Sequence, residues 1–146
     1  MKFTWIIIAL IAGAFLPIQG GLNSRMGKAV ENPVYASLIS FLVGTVTLLV
    51  YCLVTRQQLS WQGLKAAPSY LWLGGVLGTF YVTVIVMAFP RLGPALTFGL
   101  VVAGQMIMSV LMDQFNMLVA QQQPINLMKV VGVVLIIGGV IIIRKF

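Results

Sequence analysis

Two amide side chains near the N-terminus are the first residues of this chain whose type and spacing could do chemistry. Gln19 and Asn23 follow an apolar run that begins at Phe3. Residues four apart on a helix share a face, so the two amides are predicted to project together. They form a candidate floor for a polar ligand, and the alternative is an amide pair that hydrogen-bonds a neighbouring helix.

The backbone beside these amides is predicted to be irregular. Pro17 lacks an amide donor and clashes with the preceding turn, so a kink is expected there. Gly20 and Gly21 weaken the helix further. A broken helix survives in lipid only where its freed backbone groups face protein or a water-lined cavity. We therefore expect the first apolar run to loosen near its polar end and to border a cavity.

A carboxylate lies inside a later apolar run, at Asp113. Gln105 precedes it by about two helical turns, so both lie near one face. An ionisable group within a long apolar run is a functional candidate, and Asp113 is predicted to bind and release a proton. The alternative is that Asp113 lies at the water boundary and pairs with a basic residue.

Tyr81 is in mid-span and is predicted to wall a pocket, whereas aromatic residues near span ends fit an interfacial belt.

The composition excludes several kinds of site. The chain has no histidine, one cysteine (Cys52) and two acidic residues (Glu31 and Asp113), so neither a metal site nor a hydrolytic triad is expected. No cofactor is predicted, and the protein is predicted not to be an enzyme. The net charge of +7 comes from scattered basic residues. A nucleic-acid site would concentrate them on one face, so no nucleic-acid partner is expected.

The same composition indicates an all-α, polytopic membrane protein in contact with the lipid bilayer. Of the 146 residues, 60% are hydrophobic and 8% are charged. A span needs about 20 apolar residues. Five transmembrane helices are predicted within a single transmembrane domain, 1–146. Their approximate bounds are 3–23, 34–54, 70–89, 95–115 and 127–143.

The basic residues between these spans show almost no bias towards one side of the membrane. One side would carry Lys2, Arg56, Lys65 and Lys129, and the other would carry Arg25, Lys28, Arg91, Arg144 and Lys145. A Lys/Arg excess normally sets orientation. We therefore expect dual topology and an antiparallel homodimer that forms a ten-helix inverted repeat. The alternative is that folding or a partner fixes one orientation.

Small residues three or four positions apart predict close helix contacts. In the second span they are Ser37, Ser40, Gly44 and Thr47, and in the fourth they are Ala95, Gly99 and Ala103. These two stripes are interpreted as packing within one monomer. The last span has no polar side chain from Val130 to Ile143. Its glycines, Gly132, Gly138 and Gly139, are predicted to form the dimer interface.

Several motifs together resemble the YdcZ-like family of the drug/metabolite transporter superfamily, which is related to small multidrug resistance transporters. They are Pro17–Arg25, Ala36–Thr45, Gly104-Gln105, Asp113–Phe115 and Val131–Val140. The last helix is also similar to the dimerising last helix of small multidrug resistance transporters. The resemblance implies a five-helix protein of the bacterial inner membrane that works as an antiparallel dimer and as a secondary transporter.

The resemblance has one departure. Small multidrug resistance proteins use a glutamate in the first helix, whereas the nearest positions here, Gln19 and Asn23, are neutral. One possibility is that Asp113 takes the coupling role instead. The other is that the substrate is neutral or anionic. Arg25 would suit an anion if it faces inward, and the alternative is that its side chain snorkels to the interface.

The predicted function is secondary transport of a small molecule by alternating access. The predicted substrate-binding residues are Gln19, Asn23, Tyr81 and Gln105, with Asp113 exchanging a proton. The alternative function is that of a structural or regulatory subunit of a larger membrane complex.

Overall fold

The protein is described here by a computed structural model that covers residues 2–119 and 123–146. Its helices are α1 (Lys2–Ala29), α2 (Pro33–Val54), α3 (Trp61–Ala66), α4 (Leu73–Leu92), α5 (Pro94–Phe115) and α6 (Leu127–Lys145), with a 3-10 turn at Ser69–Trp72 before α4. Within those described ranges, five helical segments are long and apolar enough to cross a membrane, and α3 is not among them. The predicted all-α class and the five spans are confirmed.

The first span departs from its predicted form. Helical residues run without interruption from Lys2 to Ala29, with Pro17 inside the helix and Gly20 buried. The expected loosening near Gly20 and Gly21 is therefore wrong. The helix also continues beyond Asn23, where the first membrane span was predicted to end. In lipid, each further backbone group left unpaired is costly, so the turns on both sides of the proline stay helical.

Local signals explain where the other spans begin. The Asn32 side chain caps α2, where Oδ1 accepts hydrogen bonds from the backbone N–H of Val34 at 2.9 Å and Tyr35 at 3.3 Å. The Asn126 side chain caps α6 in the same way by accepting from the Lys129 N–H at 2.9 Å. Gly93 precedes α5 with φ of 75°, a left-handed conformation that glycine adopts without a Cβ penalty.

The chain forms two compact units, a first unit from Met1 to Pro90 and a second unit from Arg91 to Phe146. In the first unit α1 packs on α2. Gly27 allows a close approach to two helices, because an added Cβ would lie 3.2 Å from Val86 of α4 and 3.5 Å from Pro33 of α2. The organisation of both units as one transmembrane domain stays a prediction.

In the second unit α5 packs on α6. An added Cβ at Gly99 would lie 3.1 Å from Val140, and Ala103 is buried. The predicted packing role of the fourth-span stripe within one monomer is confirmed for these two residues.

Most of the apolar surface of the spans is exposed. In the most apolar 18-residue window of each span, no more than 17% is buried. Large exposed apolar surfaces mark contact with a membrane or with another protein. The long helices therefore present their apolar faces to lipid or to a further chain.

Candidate functional site

Three of the four predicted substrate-binding residues meet in the first unit. Gln19 and Asn23 of α1 and Tyr81 of α4 line one small cavity, here called the amide cavity. Its other lining residues are Leu16, Gly20, Val82 and Ile85. Asn23 is buried, and the hydroxyl oxygen of Tyr81 is shielded from solvent. The amide cavity has a volume of about 10 Å³, which is enough for about one water molecule.

A larger space lies beside the amide cavity and shares Gln19 and Val82 with it. This threonine cleft has a volume of about 270 Å³. It is completed by five residues of α2, which are Ser40, Phe41, Gly44, Thr45 and Leu48. An added Cβ at Gly44 would meet nothing within 4 Å, because this glycine borders open space. A small ligand in the cleft would reach the Gln19 amide.

The contribution of α2 to this site was not predicted. Its small residues were interpreted as a packing stripe, and Ser37 fits that interpretation because it is buried and its hydroxyl donates to the Pro33 carbonyl at 3.0 Å. Ser40 and Gly44 instead line the threonine cleft. The sequence signal for both roles is the same, since small residues allow either helix contact or open space.

The carboxylate of Asp113 lies in the second unit and is paired. Its Oδ2 accepts a hydrogen bond from Lys129 Nζ at 2.9 Å, which joins the end of α5 to the start of α6. The same ammonium donates to the Gln123 carbonyl at 2.7 Å. Both side chains are partly exposed, 29% for Asp113 and 24% for Lys129. This is the pairing with a basic residue that the sequence left as an alternative, and the proton-coupling role stays a prediction.

Asp113 and Lys129 also border a space between α5 and α6, here called the ion-pair cavity. Its volume is about 230 Å³. The remaining lining residues are Met106, Ser109, Val110, Gly132, Val133 and Ile136. Gln105, also on α5, is exposed and lies outside the set that lines this cavity. The role of Lys129 was not predicted, because residue separation in the chain does not show which basic residue faces the carboxylate.

The glycines of α6 have space beside them. A Cβ added at Gly132, Gly138 or Gly139 would meet nothing within 4 Å. Gly132 lines the ion-pair cavity. No contact within the described part of the chain requires a glycine at Gly138 or Gly139, unlike Gly99, which faces Val140.

Arg25 lines a third space in the first unit. This open groove of about 430 Å³ also includes Lys28 and buried Ser24 of α1, and Phe89 and Pro90 of α4. Arg25 and Lys28 are both exposed. Their exposed side chains fit the expectation that long basic residues reach towards the membrane surface.

Comparison with known proteins identifies the family. A family model described as "Putative inner membrane exporter, YdcZ" matches residues 4–142. The chain belongs to the YdcZ family. A relative, the inner membrane protein YdcZ of Escherichia coli (strain K12), is 29% identical over 109 residues, which cover 73% of this chain and 72% of the relative. No solved structure matches the chain.

Membership of the YdcZ family settles the general role of the chain. The predicted family is confirmed, and so is the predicted multi-pass location in the inner membrane. The description of the YdcZ family is that of a membrane transporter family and not of an enzyme family. The protein is a membrane transporter, with the lipid bilayer around its apolar helices and a small molecule as its substrate.

Proposed function

We propose that this YdcZ-family protein is a secondary transporter that moves a small molecule by alternating access and works as an antiparallel homodimer. The observation that carries the proposal is the position of Gln19. Its amide borders both the amide cavity, with Asn23 and Tyr81, and the threonine cleft. Polar groups that converge beside an apolar-walled space are the usual form of a small-molecule site.

The chemistry of the proposed site is hydrogen bonding without charge. Each amide offers a carbonyl acceptor and two N–H donors, and a tyrosine hydroxyl both donates and accepts. A ligand in the threonine cleft would meet Gln19 first, with Asn23 and Tyr81 behind it. Such a site favours a neutral or weakly polar group in the ligand. Gln105 stays a further proposed substrate-binding residue.

The antiparallel homodimer is supported by two features. The basic residues on the two predicted sides number four and five, which gives little preference for one orientation. On α6, Gly138 and Gly139 are half-buried and have space beside them that no side chain of the described chain fills. Glycines in a span let a second helix approach closely. Two opposed copies would form the proposed ten-helix inverted repeat around the proposed sites.

Proton coupling is proposed at Asp113. The charged group that faces it within the second unit is Lys129, from the neighbouring helix α6. A proton that binds the Asp113 carboxylate would remove the charge that holds the Lys129 ammonium. That ammonium would keep its hydrogen bond to the Gln123 carbonyl. Protonation would therefore loosen the connection between α5 and α6.

A topology assay tests the dimer. Single cysteines replace Lys2 and Phe146 in a Cys52→Ala background, and an impermeant thiol reagent labels them from outside. About half labelling at both ends is expected because both orientations would coexist. Full labelling at one end and none at the other would contradict dual topology. It would favour the alternative function as a subunit of a larger membrane complex.

A transport assay tests the site. Purified protein is reconstituted into vesicles that hold a pH-sensitive dye, and a panel of small polar metabolites is added. A metabolite that changes the internal pH with the wild type should lose that effect with Asn23→Leu, which removes a buried hydrogen-bonding group. Thr47→Val is the matched control, since Thr47 is exposed and its hydroxyl donates to the Val43 carbonyl of its own helix. Equal transport by Asn23→Leu would contradict the proposed site.

A further inference from the structure

The ion pair of the second unit is placed against the local electrostatics of its helices. Asp113 lies in the last turn of α5, and Lys129 lies in the first turn of α6. The C-terminal end of a helix disfavours an anion and the N-terminal end disfavours a cation. The dipoles of α5 and α6 therefore do not account for the position of either charge. Residues that break a local rule are expected at functional sites.

The pair also contributes little as a structural tie. Both side chains are only about a quarter exposed. The cost of partly dehydrating two charges offsets much of their attraction, so such a pair adds little stability compared with two neutral residues, although removing one partner is costly. Lys129 has a second acceptor in the Gln123 carbonyl at 2.7 Å. Its ammonium can therefore leave the carboxylate while one hydrogen bond is kept, so the pair is able to open.

The space behind the pair is apolar. The ion-pair cavity is walled by Met106, Val110, Val133 and Ile136, and both charges border the same 230 Å³. This volume lies just below the range of about 300–1,000 Å³ that is usual for drug-sized ligands. The cavity therefore fits a small ligand with an apolar body whose polar end reaches both charges.

The charge balance of the site selects among such ligands. A cation at Asp113 would leave Lys129 without its counter-charge, and an anion at Lys129 would leave Asp113 in the same state. An ion left alone in a low-dielectric region is strongly disfavoured. A ligand with one positive and one negative group compensates both residues at once.

We propose that the ion-pair cavity binds a small zwitterion with an apolar side chain. The ammonium of the ligand pairs with Asp113, its carboxylate pairs with Lys129, and its side chain lies among the apolar residues of α5 and α6. In the empty protein the two residues neutralise each other. The inference goes beyond the proposed transport cycle, because binding in the second unit does not depend on the amide cavity or on dimer orientation.

The first test is equilibrium binding to the purified full-length protein in detergent. The probe is radiolabelled L-leucine, and the competitors are unlabelled L-leucine, its methyl ester, N-acetyl-L-leucine and glycine. The ester keeps the positive group, the acetyl compound keeps the negative group, and glycine keeps both but lacks the side chain. Unlabelled leucine should compete at least about tenfold better than each of the other three.

Charge variants show which residue meets which group. Asp113→Asn and Lys129→Gln should each abolish leucine binding. Radiolabelled leucine methyl ester should still bind Lys129→Gln, because Asp113 is then the remaining charge. Radiolabelled N-acetyl-leucine should still bind Asp113→Asn, because Lys129 is then the remaining charge. Glu31→Gln is the control, since this exposed acid of the first unit should leave binding unchanged.

Lys129→Arg keeps the positive charge and separates misfolding from loss of the site. It should bind leucine within a few-fold of the wild type. The inference is wrong if the folded wild type and Lys129→Arg bind none of the four compounds. It is also wrong if leucine competes no better than its two singly charged derivatives, or if both neutral variants still bind it. Any of these results would contradict the zwitterion site alone. The topology and transport assays would still test the proposed function independently.

Discussion

The amide cavity of the first unit and the ion-pair cavity of the second unit present polar groups in two different ways. In the first, neutral amides of α1 and the Tyr81 hydroxyl share a space of about 10 Å³ beside a larger cleft. In the second, two full charges border about 230 Å³ of mainly apolar wall. A neutral amide needs only hydrogen-bond partners when it leaves water, whereas a charge also needs a counter-charge. Single substitutions should therefore disturb the second unit more than the first.

The largest effect on stability is expected from separating the two charges. Lys129→Met should lower the free energy of unfolding by about 1–3 kcal/mol, because it leaves the Asp113 carboxylate without its partner. The double variant Asp113→Asn/Lys129→Met should recover most of that loss. Thermal unfolding in detergent measures both. A double variant that is less stable than Lys129→Met would show that the pair acts as a structural tie.

Overpacking of the α5–α6 contact should have an effect of similar or slightly smaller size. Gly99→Leu places a side chain where a Cβ alone would lie 3.1 Å from Val140, so a loss of about 1–3 kcal/mol is expected. Gly138→Leu is the matched variant on α6, where an added Cβ meets nothing. It should leave unfolding of the monomer within about 0.5 kcal/mol of the wild type.

Gly138→Leu should act on assembly instead. Cross-linking in the membrane should show less dimer than with the wild type, because a bulky side chain would separate the proposed helix–helix contact. Unchanged dimer with a normally folded monomer would remove the glycines of α6 from the proposed interface.

Loss of a helix cap should have a moderate effect in either unit. Asn126→Ala removes the acceptor for the Lys129 N–H, and Asn32→Ala removes the corresponding acceptor in the first unit. Each should cost about 1 kcal/mol. Asn126→Ala should also weaken leucine binding, since it loosens the turn that carries Lys129. Asn32→Ala should not, and equal weakening by both would mean that the effect is general.

Of the two cavities, the amide cavity should show the smaller effect on stability. Asn23→Leu should change the free energy of unfolding by no more than about 0.6 kcal/mol, the average size of one hydrogen bond between membrane helices. Its effect on transport should be large by comparison. A loss of stability as large as that of Lys129→Met would erase the difference between the two cavities.

The positions of the spans could be predicted because they depend on local properties. The span predicted at 95–115 corresponds to α5 at Pro94–Phe115, and the one predicted at 34–54 corresponds to α2 at Pro33–Val54. In lipid every backbone group must be paired within the segment, so a long apolar run becomes a helix. The same rule kept α1 helical through Pro17, where weak helix formers had suggested a break.

The candidate sites could be predicted only in part. The shared face of Gln19 and Asn23 followed from helical periodicity. The meeting of these residues with Tyr81 of α4, the contribution of Ser40 and Gly44, and the pairing of Asp113 with Lys129 required the packed helices. Hydropathy and periodicity act along one helix, so the class, the spans and the faces could be predicted from the residues alone. Contacts between helices depend on their rotation and approach, and these were decided only by tertiary packing.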